Sequence, residues 1–158
     1  DNKVESNQTI DTEVKDSYKK ESNSKVVRSN EGGSGSAVAQ AAYNYLGEKY
    51  VWGSAQPGVG FDCSGLTSYL YNKVCGISLY RNSAAQSNNG YHVSKSNLKQ
   101  GDLLFFSTNG SGSISHVGIY VGNGKMIHAS TPSTGVIISD IDSNYYSNTF
   151  VTARRILN

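Results

Sequence analysis

A chain of 158 residues with a net charge of +2 provides for one domain of ordinary size with residues to spare. The charge is small and the basic residues form no cluster, which argues against a nucleic-acid partner. No apolar run approaches the roughly 20 residues that a membrane-spanning helix needs, so no membrane contact is expected of the domain.

Residues 1–36 carry 13 of the 26 charged residues and few apolar ones. Ile10, Val14 and Tyr18 recur every four residues, but one narrow stripe buries too little area to offset chain entropy. The segment 1–35 therefore reads as a polar tether ending in Gly32-Gly33-Ser34-Gly35. A tether implies a further domain on its other side, and 36–158 is the folded unit. The chain opens at Asp1 without a visible leader, which says nothing about export.

Val38, Ala41, Ala42, Tyr45 and Leu46 follow the spacing of one helical face, with Gly47 placed as its cap. After a glycine-rich loop from Tyr50 to Gly60, a second helix is predicted from Asp62. Leu66, Leu70 and Val74 share its face and Gly76 ends it. Asn82 is placed to cap a short third helix over Ser83 to Ser87. From Gly101 the pattern turns strand-like: Asp102–Phe106, His116–Val121, Lys125–Ser130, Gly135–Ile141 and Thr149–Ile156. Helices first and an antiparallel meander after them give an α+β fold with about five strands.

The segment Gly60-Phe61-Asp62-Cys63-Ser64-Gly65-Leu66 sets Cys63 in the first turn of a helix. Unpaired N–H groups and the helix dipole favour negative charge there, lowering a thiol pKa, and the same groups suit an oxyanion. Cys75, at the apolar end of that helix, reads as a small core residue. Twelve residues of helix separate the two sulfurs by roughly 18 Å, so both thiols are expected free.

A thiol nucleophile needs a base, and the base needs an orienting group. His116 opens one strand and His128 lies in the next, on either side of Gly122-Asn123-Gly124; His92, in a polar stretch, reads as a surface residue. A two-residue turn would oppose Ile119 to His128. A three-residue turn opposes Ile119 to Ile127 and Val117 to Ala129, keeping apolar with apolar. That register also puts His116 and His128 on one face as diagonal neighbours. A zinc site from Cys63, His116 and His128 is disfavoured, because structural zinc takes four ligands and no CxxC or HxxxH spacing exists. No metal and no cofactor is expected.

Tyr50-Val51-Trp52-Gly53, Phe61-Asp62-Cys63-Ser64-Gly65-Leu66, Gly101-Asp102-Leu103, His116-Val117-Gly118-Ile119-Tyr120 and Ile127-His128-Ala129 resemble, in order and spacing, the NlpC/P60 peptidases. The resemblance covers about residues 36–156. It implies a papain-like α+β fold and a secreted, cell-wall cysteine peptidase acting on peptidoglycan stem peptides, usually at the bond between γ-D-glutamate and a diamino acid. It assigns Cys63 as nucleophile, His116 as base and His128 as orienting residue. Tyr50, Asp62, Ser64, Ser115, Arg81 and Ser83 fall at substrate-binding positions. Ser54 stands where a second glycine is common, and Tyr80-Arg81-Asn82-Ser83 where proline and threonine are usual. The same triad would also serve an amidase or acyltransferase, and a wall-binding module with a dead site is the alternative outside enzymes.

Overall fold

The computed structural model describes residues 33–157; the segment 1–35 expected from sequence to be a polar tether, apart from its last three residues, lies outside them. Helix α1 spans Gly35–Ala42, and Ser34 caps it by accepting from the Ala37 N–H at 3.2 Å. Ser34 and Gly35, assigned from sequence to the tether, therefore belong to the fold. A 3₁₀ turn over Tyr43–Tyr45 ends the helical stretch. Gly47 is not its cap. It takes a left-handed conformation (φ +90°), and its N–H donates to the Val136 carbonyl at 3.0 Å.

The glycine-rich loop contains a small ribbon, β1 (Ala55–Gln56) with β2 (Gly60–Phe61). Helix α2 then runs over Cys63–Cys75, capped by Asp62 and closed by Gly76 in the left-handed region. Its buried stripe of Leu66, Leu70 and Tyr71 packs on α1 and the sheet, so Leu70→Ala should cost about 2–5 kcal/mol. Helix α3 is one turn, Ser83–Gln86, capped by the Asn82 side chain on the Ala85 N–H at 2.8 Å.

The main sheet has six antiparallel strands, one more than expected: β3 (Tyr91–Val93), β4 (Leu103–Phe106), β5 (His116–Gly122), β6 (Lys125–Thr131), β7 (Gly135–Asp140) and β8 (Phe150–Arg155), in spatial order β3-β8-β4-β5-β6-β7. The added strand, β3, carries His92 exposed on an edge. Its three residues pair with β8, a long-range contact that no local periodicity announces. Asp102 and Arg155 lock the start of β4 to the end of β8 through two 2.8 Å contacts.

Both faces of the sheet are covered. Leu103, Phe105, Val117, Ile119, Ile127 and Ala129 face α1 and α2. Leu104, Phe106, Met126 and Ala153 face a second layer formed by Ile141 and by Tyr146 of a short helix, α4 (Asn144–Thr149). That layer covers the face that carries the histidines.

Candidate active site

Asp62 anchors the site. One carboxylate oxygen accepts from the Gly65 N–H at 2.7 Å, capping α2; the other accepts from the Gly53 N–H at 2.8 Å, pinning the glycine-rich loop. Arg81 grips both oxygens at 3.0 and 3.2 Å and donates to the Ser64 hydroxyl at 2.8 Å. Asp62, Ser64 and Arg81 thus form one cluster. The first two are buried, while the Arg81 side chain is 45% exposed and faces the open side. Gly65 is required by this crossing, since a Cβ there would lie 2.2 Å from the Ser54 carbonyl.

Cys63 opens α2 beside this cluster, and the backbone N–H groups of Val117, Ser64 and Cys63 itself lie near enough to its sulfur to favour the thiolate. The Val117 contact sets the sulfur against the start of β5, one residue from His116. Burial pushes the thiol up from its ordinary value and the Asp62 carboxylate adds to this, while the three N–H groups pull it back. A helix terminus by itself lowers a thiol pKa, as expected from sequence, but at Cys63 desolvation outweighs it. Tyr50 is half-buried, with its phenol raised first by burial and then by the neighbouring Cys63 and Asp62. Its phenol stays protonated and within electrostatic reach of the sulfur.

The two histidines meet as the register requires. Ile119 opposes Ile127 and Tyr120 opposes Met126, so Gly118 lies across from His128. The hairpin tip differs from the expected three-residue loop. Asn123 and Gly124 (φ +55° and +72°) make a two-residue turn, and the extra residue is a bulge at Val121–Gly122 with Gly122 at φ +97°. The two devices have the same parity, so the histidines keep one face. His116 Nε2 lies 2.7 Å from His128 Nδ1. Gly118 leaves the space this contact uses, because a Cβ there would come within 3.2 Å of the His128 Cβ.

Burial lowers His116 to about 4 and, with His116 beside it, drives His128 well below its ordinary value. The resting pair is neutral. Phe106 packs on His116 and the Tyr146 ring meets His128 edge-on at 5.5 Å.

Of the remaining sequence candidates, Ser115 uses its hydroxyl to close the preceding loop onto Thr108 at 2.9 and 3.1 Å. Ser83 is buried at the start of α3. Two residues against the histidines went unread in the sequence. Ser139 on β7 lies 2.8 Å from His128 Nε2, and Tyr146 comes from α4. Ser139 was detectable as the polar residue that follows the apolar run Val136–Ile138 within one strand. Tyr146 had no comparable signal. Both cysteines are free. Among the described residues no group of three His, Cys, Asp or Glu side chains is arranged to hold a metal, and no helix is long and apolar enough to cross a membrane.

A cysteine at a helix start, near the Val117 N–H that follows His116, and a buried histidine pair on an antiparallel sheet place the chain among α+β domains. The chain belongs to the NlpC/P60 family, whose pattern matches residues 47–155. It is 39% identical over 118 residues to the murein DD-endopeptidase MepH of Escherichia coli, covering 71% of this chain and 42% of that protein. It is 42% identical over 114 residues to a γ-D-glutamyl-L-lysine dipeptidyl-peptidase of Bacillus cereus, covering 72% and 34%. A solved NlpC/P60 family structure from Bacillus cereus superposes with a TM-score of 0.74 at 38% identity, over 80% of this chain and 41% of that one. The chain thus spans less than half the length of each of these relatives.

Proposed function

We propose that this domain is a cysteine endopeptidase that cleaves the peptide stems of bacterial peptidoglycan outside the cytoplasm, at the γ-D-glutamyl–diamino acid bond. The observation that carries the reading is the buried, neutral His116–His128 pair at 2.7 Å, with His116 next to Val117, whose N–H lies near the Cys63 sulfur. The relatives' names support a wall-peptide substrate, one naming a murein DD bond and the other a γ-D-glutamyl bond. The γ-glutamyl bond is favoured by Arg81. A γ-linked glutamate keeps a free α-carboxylate near the scissile carbonyl, and an exposed guanidinium fixed by Asp62 is suited to receive it.

The reaction follows from the resting charges. With thiol and imidazole both neutral, His116 Nδ1 takes the Cys63 proton as the sulfur attacks the carbonyl carbon, so no standing ion pair is needed. The developing oxyanion is stabilised by N–H groups at the α2 start and by the Tyr50 hydroxyl. Collapse breaks the C–N bond, and the leaving amine takes the proton from His116. The thioester on Cys63 is then hydrolysed by water, whose proton passes to His116 and returns to the thiol.

Incubating the domain with a soluble L-Ala-γ-D-Glu-diamino acid-D-Ala stem and weighing the products tests this. Two dipeptides, one with the diamino acid at its new amino terminus, are expected. An intact stem together with cleavage of crosslinked D-Ala–diamino acid dimers would overturn the bond assignment.

A further inference from the structure

The hydrogen-bonded series continues past His128. Its Nδ1 faces His116 and its Nε2 faces the Ser139 hydroxyl at 2.8 Å. The position of Ser139 is set by register. Met126 opposes Ser139 and His128 opposes Ile137, so Ser139 shares the face of His128 as its diagonal neighbour. His128 has no exposed surface, which leaves Ser139, not bulk water, as the partner of Nε2. The Tyr146 phenol lies near Ser139 and Ser130.

A neutral imidazole carries one N–H. If His116 is to accept the Cys63 proton at Nδ1, its own hydrogen must sit on Nε2 and be donated to His128 Nδ1. His128 must then carry its hydrogen on Nε2, where the acceptor found among the described residues is Ser139 Oγ. With no acceptor there, the Nδ1–H form of His128 competes. It would force the His116 hydrogen onto Nδ1, leaving no base facing the sulfur.

We propose that Ser139 is a positioning residue for the reaction: by accepting from His128 Nε2 it fixes the tautomers of both histidines so that His116 presents a bare nitrogen to Cys63. The inference rests on the proposed Cys63–His116 chemistry. No proton passes to Ser139 during the cycle.

The test combines kinetics with nitrogen-15 imidazole spectra. Ser139→Ala should lower kcat about 10- to 100-fold, the range lost when the partner of a working histidine is removed, with KM changed less than about twofold. Ser139→Thr, which keeps the hydroxyl, should restore most of it. In a His128→Ala background Ser139→Ala should add nothing, because its effect runs through that ring. The spectrum of the wild-type domain should show His128 protonated at Nε2. A Ser139→Ala kcat within twofold of wild type, an equal loss without His128, or a His128 hydrogen on Nδ1 would each overturn the proposal. If Ser139→Ala does not fold, the wild-type spectrum still decides. Turnover surviving in Cys63→Ala would instead sink the proposed chemistry while leaving the tautomer result standing, so the two failures are distinguishable.

Discussion

Acid should unfold this domain through its histidine pair. His116 is buried against Phe106 and His128, and its pKa falls from 6.5 to about 4 on folding. At about 1.4 kcal/mol per pH unit, holding that imidazole neutral is worth about 3 kcal/mol. The unfolded chain takes up a proton as pH drops through 6.5, while the folded one does not until about 4. Stability therefore declines with falling pH across this window and levels off below it. His128 is displaced in the same direction and adds to the slope. Urea melts at pH 7.0 and 4.5 should show the loss in the wild type and a smaller one in His116→Gln, which keeps a polar group but no titration. Equal losses in both proteins, or a folded His116 titrating near 6.5 by NMR, would refute the reasoning.

Three further outcomes follow from the same geometry. Gly118→Ala should fold but lose turnover, since its methyl would meet Met126 Sδ at 2.7 Å and His128 Cβ at 3.2 Å. Overpacking of this kind costs about 1–3 kcal/mol, so thermal melting paired with kcat measures both effects. Gly65→Ala should destabilise, although alanine is ordinarily better by about 1 kcal/mol inside a helix; the Ser54 carbonyl 2.2 Å away decides the sign, and a raised melting temperature would contradict it. Cys63→Ala and His116→Ala should abolish hydrolysis while His128→Ala leaves a measurable remnant, because an orienting residue exchanges no proton; a His128→Ala protein that is folded and fully inactive would give it a more direct part.

Much of the site was legible because it rests on local rules. Asp62 before a run with Leu66 and Leu70 marks a helix start, which places Cys63 without knowledge of the fold. Parity across Gly122-Asn123-Gly124 put His116 and His128 on one face, and it survived the exchange of a three-residue turn for a two-residue turn plus a bulge at Val121–Gly122. What escaped was non-local. Tyr146 reaches His128 from a one-turn helix with little periodicity, and β3 exists only by pairing with β8. The Arg81 grip on Asp62 joins positions 19 apart, so spacing cannot reveal it. The thiol expectation reversed because a helix terminus is visible in sequence while desolvation of Cys63 is not.

The central claim is that Cys63 is acylated by a wall peptide during turnover. Rapid acid quenching of the domain with the stem tetrapeptide, followed by intact-mass and peptide mapping, reads this directly. A transient adduct of the amino-terminal dipeptide is expected on the Cys63 peptide, with none on Cys75 and no product from Cys63→Ala. Turnover by Cys63→Ala, or an adduct on any residue other than Cys63, would contradict it.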